Sequence, residues 1–259
     1  MKNGLRVLYF FLFVFGFSVN AASLAEKGYD IARKVKEQDL GFKGTIAQAE
    51  MILTNAAGKE SRRNLDINTF EVNGDGDKSI IVFKSPRDIE NTKLLTWSHI
   101  LDSDEQWLYL PSLKRTKRIS SRNKSGPFVG SEFAYEDLSS QEVDKYSYEY
   151  IGEESLNGTA HWVIQRVPIY SNSGYSKQVV WVDQDKLIFS QIDFFDKKKQ
   201  LLKTLVFDDY QLYLDTYWRP HTLTMSNKQN SKVTVMQWQE YTFTSQLSEQ
   251  DFQPAVLRR

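Results

Sequence analysis

The chain has 259 residues, with 33 lysines and arginines against 33 aspartates and glutamates, 14% aromatic residues and no cysteine. Balanced charge argues against a general nucleic-acid binder, whose domain would be basic. Without cysteine there is no disulfide framework, so the core alone must hold the fold.

Lys2 and Arg6 flank the start of an apolar run, residues 7–17, which is followed by small residues that include Ala21 and Ala22. A charged start, an apolar stretch of secretory length and small residues before a cut form the pattern of a signal peptide. Residues 1–21 are therefore expected to be removed, with cleavage after Ala21 as first choice and after Ala22 as second. The run is short of the roughly 20 residues that span a bilayer. The expected mature chain, residues 22–259, is a single periplasmic domain with 31 basic and 33 acidic residues. Its first element is a helix, with Ser23 as N-cap, Glu26 completing a capping box, Leu24, Ile31 and Val35 on one side, and Gly41 as stop.

Beyond Gly41 the periodicity changes to two-residue alternation. Strands are expected at 45–54, 60–72, 79–83, 93–97, 106–110, 116–119, 145–151, 160–169, 177–182, 186–195, 201–210, 217–225 and 232–243. Turn residues such as Asn157-Gly158 and Ser173-Gly174 separate neighbours, which predicts a meander of consecutive antiparallel strands. So many strands curl or close. Tyr146, Tyr148 and Tyr150 share one face of their strand, while Met236 and Trp238 are expected on the face opposite to Tyr241 and Phe243. Where both faces are apolar, each must be covered or one must line a ligand cavity; a filled β core is the plainer alternative.

Little points to catalysis. His99, His161 and His221 are far apart with no helical ligand spacing, and no nucleophile elbow, phosphate loop or dinucleotide fingerprint occurs. Neither a metal nor a cofactor is expected. The segment Asn73-Gly-Asp-Gly-Asp77 alternates oxygen ligands but lacks the distant glutamate of a calcium loop, and a hairpin turn explains it.

One stretch, residues 96–138, stands apart. It contains Trp107-Leu-Tyr-Leu-Pro111, the basic step Lys114-Arg-Thr-Lys-Arg118-Ile, and Phe128-Val-Gly-Ser-Glu-Phe-Ala-Tyr-Glu-Asp137-Leu. In their order and spacing these motifs resemble the LolA-like outer-membrane lipoprotein-sorting family, in the periplasmic branch often found beside RND-type exporters. Phe83-Lys-Ser-Pro86 and Leu94-Leu-Thr-Trp97 fit the same family. The resemblance implies a mainly β (α+β) fold: a curved, incomplete antiparallel β-barrel with an N-terminal helix and short lid helices over an apolar cavity. It also implies a carrier or chaperone, not an enzyme, that binds acyl chains of a lipid or lipoprotein. Its expected partner is an inner-membrane RND-type exporter or an outer-membrane acceptor, and the expected state is a monomer.

Trp97, Trp107, Tyr109, Phe128, Phe133, Tyr135 and Leu138 are the residues expected to line or cover the cavity. Trp107 and Tyr109 share a face opposite to Leu108 and Leu110. Ser131 is expected to cap a short helix ending at Leu138, which would form a lid. Lys114, Arg115, Lys117 and Arg118 suit headgroup phosphates or an acidic partner, or simply form a solvated hairpin face. An envelope sensor of the same fold, and more remotely a periplasmic hydrolase, are the alternative functions.

Overall fold

The computed structural model describes residues 18–258, so the apolar run 7–17 lies outside the described residues. The first helix, α1 (Ser18–Gln38), precedes thirteen strands. These are β1 (Gly44–Thr54), β2 (Glu60–Phe70), β3 (Lys78–Phe83), β4 (Lys93–Trp97), β5 (Glu105–Leu110), β6 (Arg115–Arg118), β7 (Tyr146–Leu156), β8 (Thr159–Pro168), β9 (Lys177–Asp183), β10 (Phe189–Phe195), β11 (Leu201–Tyr213), β12 (Tyr217–Asn227) and β13 (Val233–Phe243). Every strand expected from the alternation forms, because the turn residues between them interrupt the apolar phase at each end.

Their connection differs from one continuous meander. Two meanders, β1–β6 and β7–β13, join where β1 pairs antiparallel with β13, and β6 and β7 become the two outer edges of a single sheet. The sheet curls but does not close into a barrel. In the joint, small residues of β1 face large ones of β13: Ala47 opposes Tyr241 and Ala49 opposes Trp238. A register shift lies there, with Gln48 opposite Glu240 and Ala49 opposite Trp238, so Gln239 is an extra residue. One inserted residue reverses the alternation. Tyr241 and Phe243 therefore join Met236 and Trp238 on the concave face, which corrects the expected split, and the Trp238 and Tyr241 rings stack with centroids 6.1 Å apart.

α1 runs through Ser23, which is thus interior to the helix and not its N-cap: Ala21 and Ala22 are strong helix formers and extend it toward the N-terminus. Gly28, Ile31 and Ala32 are buried and Val35 is half-buried, one stripe at helical spacing, whereas Leu24 is exposed. The stripe lies on the edge strand β7. A Cβ on Gly28 would come within 3.0 Å of the Tyr150 amide nitrogen, so this glycine sets how closely helix and strand approach. The other edge, β6, is only four residues long and exposes Arg115, Lys117 and Arg118. Short, charged edges resist pairing with a second sheet.

Between the edges, residues 119–145 cross the concave side. Two 3-10 turns, Phe128–Gly130 and Tyr135–Leu138, replace the expected helix. The cap of the second turn is Ala134, whose N–H donates to the Asp137 carboxylate at 2.7 Å; Ser131 instead follows the first turn and is buried. The crossing segment is fastened along its length. Arg63 donates to the Val129 carbonyl (2.6 Å), the Glu132 N–H to Thr234 Oγ1 (3.0 Å), and Lys203 to both the Glu132 carbonyl (2.9 Å) and Asp137 (2.7 Å). Glu136 accepts from Tyr170, Ser173 and the Gly174 N–H at 2.7–3.0 Å. Phe133–Leu138 thus stands as a wall of the concave side, with its acids buried and partnered.

On the convex face the C-terminal turns Glu249–Phe252 and Pro254–Arg258 cover β3–β5. Ile80, Leu95, Phe252 and Leu257 form a second buried cluster there, joined by Trp97, Trp107 and Tyr109. Breaking a buried ion pair by removing one partner costs about 3–5 kcal/mol. Asp137→Ala, which strands Lys203, should lower unfolding stability by about that amount in urea titration; a loss below about 1 kcal/mol would show that the pair does not fasten the segment.

Candidate ligand-binding cavity

The concave face encloses two adjoining chambers. The deeper one, about 340 Å3, is walled by Met51, Ile81, Phe128, Phe133, Ile192 and Leu205 among others, with Leu138 and Trp238 also on its surface. The outer one, about 360 Å3, lies beneath α1, between Ala32, Val35 and Lys36 of the helix and Tyr148, Arg166, Arg219 and Tyr241 of the sheet. Thr69, Asp77, Ser140, Gln141, Phe189 and Phe207 border both, so the chambers lie side by side. Volumes of this order hold small-molecule ligands.

α1 covers the outer chamber through contacts at both of its sides. Tyr29 donates to Asp144 (2.9 Å) and Lys36 pairs with Glu142 (3.0 Å). Asp39, just past the helix, pairs with Arg219 of β12. The Asp39 side chain remains half-exposed, whereas Arg219 is largely covered.

Of the residues singled out from sequence, Phe128, Phe133 and Leu138 stand on the deep wall. Tyr135 packs edge-on against Phe128 within the core, centroids 5.7 Å apart. Trp97, Trp107 and Tyr109 lie on the convex side, away from both chambers. The Trp97 indole donates to the Phe252 carbonyl (2.7 Å) and packs edge-on against Trp107, centroids 5.0 Å apart. The expected pairing of Trp107 with Tyr109 on one face holds, but the inward face is the one carrying Leu94 and Leu108. The C-terminal turns make the outward face apolar as well, and these turns have no periodicity to announce them. Lys114, Arg115, Lys117 and Arg118 are exposed on the edge hairpin, where Arg118 pairs with Glu105.

Sequence reading passed over Arg166, Tyr170 and Tyr175, and took Asp77 only as part of a hairpin turn. Asp77, immediately before β3, borders both chambers. Burial, aided by the Glu142 and Asp39 charges and opposed by Lys36, pushes its carboxyl up to about 7. Burial and the adjacent Asp137 charge also raise Glu136. Burial raises the Tyr170 and Tyr175 phenols, which donate to Glu136 and Asp137. The histidines are spent on structure: His99 on Asp75 (2.7 Å), His161 on the Thr159 carbonyl and Ser190, His221 on Tyr213 and the Trp238 carbonyl. No group of three or more acids and histidines among the described residues could hold a metal ion.

An unclosed, curled antiparallel sheet with an apolar chamber under a helix defines a binding fold. Its likeness to known proteins is close. A domain from Vibrio parahaemolyticus described as an outer membrane lipoprotein-sorting protein is 49% identical, with a TM-score of 0.89 over 91% of this chain and all 100% of that one. A DUF1329 family protein from Desulfovibrio piger is 29% identical, with a TM-score of 0.85 over 90% and 99% of the two chains. A LolA superfamily protein from Nitrosomonas europaea shares the fold at 18% identity, with a TM-score of 0.68 over 91% and 98%. A family model described as an uncharacterized protein matches residues 75–259, and no curated protein matches. The chain belongs to the outer-membrane lipoprotein-sorting family of the Vibrio parahaemolyticus domain, and its fold is LolA-like.

The raised Asp77 pKa means that the fold favours its protonated form. That contribution is complete below the unfolded value of 3.8 and is lost as pH rises through about 7. Asp77→Asn should match the wild type in Tm near pH 4 and exceed it at pH 8; equal Tm values at both would contradict the assigned burial. Trp97→Ala should lower unfolding stability by about 2–3 kcal/mol, somewhat less than for a fully buried ring, as read by urea titration.

Proposed function

We propose that the protein is a periplasmic carrier that shields an acyl chain of a lipid or lipoprotein in its concave chambers while the cargo crosses the envelope, with no covalent step. Residues 22–259 act as one carrier domain after removal of the signal segment 1–21. The observation that carries this reading is the deep chamber, lined mainly by aliphatic and aromatic side chains and adjoining an outer chamber under α1. Each exposed methylene of a free acyl chain costs about 0.8 kcal/mol in water, so an apolar chamber under a helical cover answers the need directly. Among the described residues no helix is long and apolar enough to cross a membrane.

The description of the Vibrio parahaemolyticus relative as lipoprotein-sorting supports the same class of cargo. Lys114, Arg115, Lys117 and Arg118 give the edge hairpin a basic surface toward a membrane or an acidic partner, with an RND-type exporter or an outer-membrane acceptor as that partner.

Filling the deep chamber tests the reading. Leu223 of β12 also lines the deep chamber; Leu223→Trp should weaken binding of the neutral fluorescent probe N-phenyl-1-naphthylamine, and its displacement by dodecanol, by about tenfold or more, whereas Trp97→Ala should leave both intact. Unchanged binding in Leu223→Trp would place the acyl site elsewhere.

A further inference from the structure

Three cationic side chains among the described residues are less than a tenth exposed: Lys145, Arg166 and Lys203. Lys145 pairs with Asp104 and Lys203 with Asp137. Arg166, 3% exposed, has no carboxylate partner among the described residues. Its Nε donates to Gln178 Oε1 and its Nη2 to Gln141 Oε1, each at 2.6 Å. Its guanidinium carbon lies 4.5 Å from the Tyr146 ring centroid and 5.7 Å from that of Phe189. Nη1 makes no hydrogen bond within the described residues. A desolvated charge answered only by neutral amides and ring faces is costly unless an opposite charge arrives.

The position of Arg166 indicates where that charge would come from. It borders the outer chamber, and its partners Gln141 and Gln178 border the deep one. Across β7, β8 and β9 it stands in one row with Tyr148 and Gln178, at the inward phase that Ile164 and Val180 occupy one step along. The other cations of the outer chamber are engaged, Lys36 with Glu142 and Arg219 with Asp39. Asp77, the remaining acid of that chamber, makes no hydrogen bond with Arg166 and comes from the other arm of the sheet.

We infer that Arg166 is the polar anchor of the cavity: it takes the carboxylate or phosphate of an anionic amphiphile whose chain enters the deep chamber. This rests on the carrier reading and narrows it to acyl cargo bearing a negative head close to the chain. A planar guanidinium held by two glutamines and stacked on rings is preorganised for two-pronged contact with such a head.

Dodecanoate, dodecyl phosphate, dodecanol and inorganic phosphate, titrated separately by calorimetry, test it. The wild type should bind both anionic chains about tenfold or more tighter than dodecanol and inorganic phosphate only feebly. Arg166→Met should erase that preference while retaining dodecanol, and Arg166→Lys should retain part of it. No preference in the wild type, or a preference that survives in Arg166→Met, overturns the anchor. Inorganic phosphate binding as tightly as dodecyl phosphate overturns the amphiphile in favour of a free anion. Failure of every chain, dodecanol included, would instead sink the carrier reading itself.

Discussion

The Asp137–Lys203 pair, 2.7 Å long and buried on both sides, fixes the segment that makes this sheet a container. Thirteen antiparallel strands curl, but β6 and β7 do not meet, and residues 119–145 run between these edges across the concave side. Fastened by Asp137, Glu136 and Glu132 to β11, β12 and the loop before β9, the segment becomes a wall holding Phe128, Phe133 and Leu138 toward the interior. Buried acids are costly unless paired or hydrogen-bonded; Asp137 is paired with Lys203, and Glu136 accepts from Tyr170, Ser173 and the Gly174 N–H. The family motif is therefore a fastening, and what covers the chamber is α1, held by side chains that are mostly half-exposed.

That division of labour has an energetic sense. The wall is secured by buried polar contacts whose loss is expensive, whereas the cover is tied by Tyr29–Asp144, Lys36–Glu142 and Arg219–Asp39, in each of which at least one partner reaches solvent. Fully exposed pairs contribute about 0–1 kcal/mol each; here Glu142 and Arg219 are largely covered while Lys36 and Asp39 reach solvent. Under the proposed function, a cover that lifts to admit cargo is better held by such contacts than by a buried network. The polarity inside follows the same plan, with apolar walls deep in the fold and Asp77, Arg166 and Arg219 toward the outside.

Much of this was legible in the sequence. All thirteen strands follow from two-residue alternation broken by turn residues, and the motif run from Phe83 to Leu138 is enough to identify the family. Which face of β4 and β5 points inward was not legible. Leu94 and Leu108 line one side and Trp97, Trp107 and Tyr109 the other, and both sides are apolar because the C-terminal turns cover the outer one. The bulge at Gln239 was equally silent, since one inserted residue leaves no mark in composition. Arg166 did leave a mark. It is a lone charge on the phase of β8 whose other inward residues are Trp162 and Ile164, a pattern that local alternation can detect but whose consequence needs the cavity to be seen.

The central claim is that the concave chambers hold an acyl chain. Native mass spectrometry of the protein released from cells by gentle osmotic shock, followed by solvent extraction of what it carries, tests that most directly. The account predicts one acyl amphiphile per chain, released on unfolding. A bare protein mass, together with no uptake of dodecanol, would contradict it and leave the chambers as packing space in a filled β core.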